Sequence, residues 1–287
     1  MTVRQVGVVG LGHLGSVLAA NLVGSGLDLV THDVAGPAHS PPGATFLATL
    51  EDLARQAEAV VCSLPDGQAS EDVARAIVGT RDRSTRSVID TSTIGVAAAR
   101  RIDGLLSAEG IGYVDAPVSG GVAGARARTL SVMYAGRTEV CDEIEPVLAG
   151  LSDRRRRVGD APGLGQALKL ANNFLSAVAL AATSEAVAFG VAEGLDMELM
   201  LEVLNSSSGQ SQATTDKFPH HVLTGRYAAG FANTLMAKDL RLYLEASDAR
   251  RGTAGTIGPT TTSVWQRFAD AEPGADFTRI YPFLGGA

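Results

Sequence analysis

The sequence has 287 residues, 45% of them hydrophobic and 19% charged, which is the balance of an ordinary globular chain long enough for two domains and a sizeable core. A formal net charge of −7 argues against nucleic acid or an anionic membrane as the main partner. Two cysteines, Cys62 and Cys141, stand without metal-ligand spacing, which excludes a disulfide framework and fits a reducing cytoplasm.

The first apolar run, "QVGVVG" (5–10), follows Arg4. Four glycines at turn-like spacing make "VGVVGLGHLG" a poor signal-peptide core and a better strand leading into a turn. That turn, "GLGHLG" (10–15), consists of Gly10, Leu11, Gly12, His13, Leu14 and Gly15. It fits G-x-G-x-x-G between a strand and a helix (14–23), the context a dinucleotide site needs. Gly10 allows the tight turn, Gly12 lets backbone approach a pyrophosphate, and Gly15 permits close helix–strand packing. The helix N-terminus then offers N–H groups to the phosphates.

A second strand (27–33) ends on Asp33, 18 residues beyond Gly15, where a carboxylate accepts hydrogen bonds from an adenosine ribose and repels a 2′-phosphate. No arginine follows in "HDVAGPAHSPPG", so the expected cofactor is NAD rather than NADP. Strands at 59–65, 87–93 and 111–118 alternate with helices at 50–56, 69–78 and 97–109, a pattern of a parallel, doubly wound sheet. Segments 129–136 and 155–160 read as later strands of that sheet, with the basic run Arg154 to Arg157 on a solvated edge.

After "APGLGQ" (161–166) the periodicity becomes helical, with one long helix over 168–192 and others at about 198–204, 231–250 and 260–271. The expected architecture is α/β: a Rossmann-type domain over 1–163, then an all-helical substrate and dimerisation domain over 164–287. The long helix joins the two and suits a contact with a second subunit, hence a homodimer or homotetramer. Lys169, Asn172, Asn173, Ser176 and Glu185 interrupt its apolar character, which argues against a membrane span. The five histidines, at 13, 32, 39, 220 and 221, form no metal-site or dyad spacing. Cys62 reads as a buried strand residue.

The strings "DTST" (90–93), "DAPVSGG" (115–121), "GLGQALKLANN" (163–173) and "KDL" (238–240) add to the glycine-rich turn. In order and spacing they resemble the β-hydroxyacid dehydrogenase family, which includes 3-hydroxyisobutyrate dehydrogenase and tartronate semialdehyde reductase, over nearly the whole chain. The resemblance implies that Thr93 sits near the nicotinamide and that Leu64 and Pro65 line the cofactor cleft. It implies that Ser119, Gly120 and Gly121 hold a substrate carboxylate, that Lys169 is the catalytic lysine and that Asn173 binds substrate with it. Lys238 would lie close to the cofactor beside Asp239, and Phe231 would border the pocket. The chain departs from the family's usual residues at Arg128, at Ala135-Gly136 and at Val96.

The chemistry stands beside the name. Hydride exchange between alcohol and carbonyl needs a nicotinamide, a proton donor or acceptor at the oxygen and a clamp on the substrate. Ser-Gly-Gly offers amides to a carboxylate, although in isolation it reads as a plain turn. Lys169 and Asn173, four residues apart, share one face of a helix, and burial of a lysine favours its neutral, basic form. The expected function is hydride transfer between NAD and a small 3-hydroxy carboxylic acid or its semialdehyde. Two alternatives are an NADPH-dependent imine reductase, whose members usually carry aspartate or tyrosine at the lysine position, and an inactive binding domain of the same fold.

Overall fold

In the computed structural model, which describes residues 3–251 and 255–285, the chain divides into two compact units, Met1–Lys169 and Leu170–Ala287. The first unit is built on one nine-stranded sheet. Its strands are β1 (Gln5–Val9), β2 (Asp28–His32), β3 (Ala44–Phe46), β4 (Ala59–Cys62), β5 (Ser87–Asp90), β6 (Gly112–Asp115), β7 (Val118–Ser119), β8 (Ser131–Ala135) and β9 (Arg154–Gly159). They lie in the order β3-β2-β1-β4-β5-β6-β8-β7, with β9 also paired to β8.

From β3 to β6 every pairing is parallel. Here the strands are short apolar runs, as expected of a sheet covered on both faces. Side chains alternate between two cores. Val8, Val61, Ile89 and Val114 face one, with Leu18, Leu22, Val147 and Leu148 from α1 (Gly15–Gly24) and α7 (Glu145–Leu151). Val9, Val60, Cys62 and Val88 face the other, with Leu53, Ile77 and Ile102 from α2 (Leu50–Gln56), α3 (Gly67–Gly79) and α4 (Val96–Ser107). Thr49 and Asp66 cap α2 and α3 by accepting from the N–H groups of Asp52 and Ala69, which satisfies otherwise orphaned donors.

The far edge differs from a purely parallel sheet. The run 111–118 breaks at Ala116-Pro117 into β6 and β7, because proline supplies no N–H to a ladder. β8 then pairs antiparallel with both. β9, carrying Arg154 to Arg157, pairs parallel with β8 at the sheet's edge, as the basic run suggested. Its arginines are engaged locally: Arg155 bonds Glu145, and Arg157 donates to Asp160 at 2.7 Å. Three short helices without clear periodicity complete this part: α5 (Gly121–Arg126), α6 (Thr138–Glu143) and α7.

Helix α8 (Leu164–Ala192) starts four residues earlier than the sequence pattern indicates. Over 29 residues its most apolar window has a mean hydropathy of 1.7, long and apolar enough by length and composition to cross a membrane. The interruptions named above therefore do not remove that property, which corrects the expectation. A core helix meets the same test, and Ala177, Leu180 and Val187 of α8 are buried in the second unit's core.

That second unit is helical, with α9 (Met197–Asn205), a π-helical segment (Ala213–Val222), α10 (Asn233–Arg251), α11 (Ile257–Ala271) and α12 (Ile280–Phe283). Trp265 of α11 is fully buried and donates from Nε1 to the Ala177 carbonyl at 3.2 Å. The π-helical segment escaped the sequence reading, since its ten residues contain Pro219 and two histidines and carry no simple apolar period.

Candidate active site

The glycine-rich turn leaves the C-terminal end of β1 between its neighbours β2 and β4. Strand order reverses there, the usual ligand position in such sheets. Each glycine has a different physical reason. Gly10 has φ +93°, and a Cβ on it would lie 2.3 Å from the Ser63 carbonyl oxygen. A Cβ on Gly15 would lie 2.0 Å from the Gly10 carbonyl oxygen, so α1 seats directly on the turn. Gly12 is exposed, and a Cβ there would meet nothing within 4 Å. Only at Gly12 does the backbone face open space, and that is the residue assigned to close approach of a pyrophosphate.

Asp33 follows β2 and is half-buried. Its Oδ2 accepts from the Leu11 N–H at 2.6 Å and its Oδ1 from the Ala35 N–H at 2.7 Å. The carboxylate therefore ties the turn to the end of β2, with lone pairs left for hydroxyl groups. Of the other turn residues, Leu11 is buried and His13 is exposed, while Leu14 is half-buried and begins the helical backbone of α1. This set of donors, open glycine and oriented carboxylate fits a dinucleotide.

Two loops at the same end of the sheet are linked to it and to each other. The Leu64 N–H donates to Ser92 Oγ at 2.8 Å, and the Ser92 N–H donates to Asp90 Oδ1 at 3.0 Å. Leu64 and Thr93 are half-buried and Pro65 is exposed. Val96 is the first residue of α4, after Gly95, a position that accepts proline or other residues alike.

Ser119 closes β7, paired with Ser131 of β8. Gly120 and Gly121 follow with φ +126° and +61°, consecutive conformations that side chains rarely adopt. Arg128, also in the left-handed region at φ 56°, stands where the family usually has glycine. Its guanidinium donates to the Ala149 and Gly150 carbonyls at 2.8 Å each, capping the C-terminus of α7. Near Ala135-Gly136 a second glycine is not demanded, but Gly136 is: a Cβ there would lie 2.7 Å from Val114 Cγ2.

The first turn of α8 is anchored more firmly than the sequence suggests. Asp115, at the end of β6, accepts from the Gly163 and Gln166 N–H groups at 2.8 and 2.7 Å. Burial pushes its carboxyl up to about 6 despite both donors. The Gln166 side chain accepts from Ile94 and Gly95 and donates to Ser92 O. One turn further on, Lys169 is 7% exposed. Burial also raises the Cys62 thiol well above its usual range, in keeping with a buried strand residue.

In the second unit, Asn173 is 5% exposed and Asp239 of α10 is 3% exposed. Asn173 Nδ2 donates to Asp239 Oδ2 at 2.6 Å, and Lys238 Nζ lies 3.3 Å from Asp239 Oδ1. Asp239 thus joins two residues that the sequence named separately. Phe231 is half-buried, edge-on to Phe277 at 5.7 Å. Among the described residues no group of three or more His, Cys, Asp or Glu is arranged to hold a metal ion.

Residues 5–159 match the family described as NAD binding domain of 6-phosphogluconate dehydrogenase. Residues 163–284 match the family described as NAD-binding of NADP-dependent 3-hydroxyisobutyrate dehydrogenase. The chain is 32% identical to the mitochondrial 3-hydroxyisobutyrate dehydrogenase of Drosophila melanogaster, covering 98% of this chain and 89% of that protein. It is 34% identical to the NAD-dependent L-serine dehydrogenase of Pseudomonas aeruginosa, covering 86% of each. Its fold superposes on the solved Mycobacterium tuberculosis 3-hydroxyisobutyrate dehydrogenase with L-serine at a TM-score of 0.90, with 28% identity and full coverage of both chains.

Proposed function

The chain belongs to the β-hydroxyacid dehydrogenase family and is an oxidoreductase of hydroxy acids; on that premise we propose that it exchanges a hydride between NAD and a small 3-hydroxy carboxylic acid or its semialdehyde, with Lys169 as the proton-transfer group. The observation that carries the assignment is the burial of Lys169 on a helix whose first turn is fixed by Asp115 and Gln166. A lysine so held is kept out of water at a fixed place on the helix, where it can meet a substrate oxygen.

When bound, the nicotinamide supplies the hydride acceptor or donor. The turn from Gly10 to Gly15 holds the phosphates, and Asp33 accepts from the ribose hydroxyls and disfavours a 2′-phosphate. Leu64, Pro65 and Thr93 border the nicotinamide, and Lys238 lies beside the cofactor. The amides of Ser119, Gly120 and Gly121 take the substrate carboxylate, while Asn173, oriented by Asp239, and Phe231 bound the rest of the substrate. During oxidation Lys169 Nζ accepts the hydroxyl proton, and during reduction the ammonium returns it.

Lys169, at the position where imine reductases usually carry aspartate or tyrosine, and the carboxylate of Asp33 both speak against an NADPH-dependent imine reductase. Joint retention of Lys169, Asn173, Ser119 and Lys238 speaks against an inactive binding domain. A homodimer or homotetramer, supported by exposed apolar side chains on α8 and α9, among them Leu175, Phe189 and Val203, and a cytoplasmic location, supported by the two free cysteines, complete the reading.

The test is NADH formation across 3-hydroxyisobutyrate, 3-hydroxypropionate, glycerate, serine and their phosphonate analogues, with NADP in parallel. Turnover of at least one acid with NAD is expected. Reduction of imines with NADPH and no turnover of any acid would overturn the proposal.

A further inference from the structure

Gln166 is fully buried, with 0% exposure, and every polar part of its side chain is used. Oε1 accepts from the Ile94 N–H at 2.9 Å and the Gly95 N–H at 3.1 Å, and Nε2 donates to Ser92 O at 2.9 Å. Ser92 in turn receives the Leu64 N–H. One amide therefore spans both sides of Thr93 and is continuous, through Ser92, with the loop after β4. Its backbone N–H is held by Asp115. Gln166 also lies on the first turn of α8, three residues before Lys169.

We infer that Gln166 is a positioning residue that fixes Lys169 relative to the loop carrying Thr93, so that proton transfer and hydride transfer occur in register. The inference rests on the proposed role of Lys169. A carboxamide suits the task because two acceptor contacts and one donor contact come from the same side chain. A small misplacement of a reacting group costs on the order of a hundredfold in rate, whereas binding at distant phosphates is untouched. Gln166 acts on kcat through Lys169 and touches no reacting atom.

Gln166→Glu separates this role from mere packing. The glutamate conserves the volume and can still accept from Ile94 and Gly95. Its second oxygen faces the Ser92 carbonyl, acceptor against acceptor, unless it carries a proton. Burial and that repulsion both favour the protonated acid, which donates to Ser92 O as glutamine does. The other ionisable groups around the position are Asp115, Asp90, Lys169 and Arg100, whose Nε lies 3.4 Å from where a Cβ on Gly163 would be. Asp115 titrates near 6 and is bonded to the Gln166 N–H, so the same pH profiles in an Asp115→Asn background separate its titration from that of position 166.

The experiment measures kcat, KM for the best acid substrate and Kd for NAD in wild type, Gln166→Glu, Gln166→Leu and Lys169→Ala, from about pH 6 to about pH 8. At about pH 8, Gln166→Glu should lose about tenfold or more in kcat, with KM and Kd within about threefold. The kcat ratio to wild type should climb several-fold towards about pH 6, while Gln166→Leu, which cannot donate, stays low throughout. A pH-independent ratio, or a loss shared equally with NAD affinity, would reduce Gln166 to a packing residue and overturn the inference. If Gln166→Leu does not fold, the Gln166→Glu profile still decides. Lys169→Ala that is inactive beside unimpaired Gln166 variants would overturn this inference alone. Near-normal Lys169→Ala would overturn it together with the reading on which it rests.

Discussion

Gly12→Ala and Gly15→Ala are equal chemical changes with opposite expected consequences. At Gly15 the new Cβ would lie 2.0 Å from the Gly10 carbonyl oxygen and 3.1 Å from Ser63 Cβ. Backbone oxygen cannot rotate away, so α1 must shift off the turn, and overpacking of this kind costs about 1–3 kcal/mol. At Gly12 nothing lies within 4 Å and φ is not in the left-handed region, so the expected change in stability is within about 0.5 kcal/mol. If a pyrophosphate approaches that backbone, however, the methyl group displaces it from one or more N–H donors. Losing a charge-assisted hydrogen bond costs about 1.5–3 kcal/mol, a rise in Kd for NAD of about tenfold to a hundredfold. Urea unfolding of the apoprotein and fluorescence titration with NADH measure the two quantities. Gly12→Ala that binds NADH like wild type would refute the cradle assigned to this turn.

Other consequences are as specific. Asp33→Ser combined with Val34→Arg should weaken NAD use and improve NADP use, because the carboxylate is lost and a cation is placed for a 2′-phosphate; a wild-type preference for NADP would sink this reading of Asp33. Asp115 should make stability depend on pH. With a folded-state carboxyl near 6 against an ordinary 3.8, the folded state binds the proton more tightly, so this contribution favours folding at low pH and is lost as pH rises through about 6. The shift corresponds to about 3 kcal/mol, and Asp115→Asn should gain on wild type by about that amount between pH ~4 and pH ~7; a pH-independent difference in unfolding free energy would count against it.

Much of this molecule was legible in the residues. β1, β2, β4 and β5 are apolar runs that a two-sided sheet demands, and the turn after β1 announces itself by glycines at fixed offsets. The antiparallel pairing of β8 was not legible, because the chain reverses direction between β7 and β8 without changing the apolar pattern. β3, with three residues, and α5 to α7, with six or seven each, are too short for a period to show. The anchoring of α8 escaped for another reason. Gln166 meets residues 71–74 positions away and Asp115 meets residues 48–51 positions away, and nothing local to "GLGQ" specifies those partners. The i, i+4 spacing of Lys169 and Asn173 put both on one helix, as α8 does, but the carboxylate that holds Asn173, Asp239, was evident only as a neighbour of Lys238.

The central claim is that Lys169 moves the proton, and turnover with NAD binding measured together in Lys169→Ala and Lys169→Arg tests it most directly. Lys169→Ala should lower kcat by about a hundredfold to ten-thousandfold. Lys169→Arg should be nearly as inactive, since a guanidinium keeps its proton at working pH. Both should bind NADH with wild-type affinity, because the residues proposed to hold the phosphates are at Gly10 to Gly15. Near-normal turnover in Lys169→Ala would contradict the account and leave this lysine a buried structural charge.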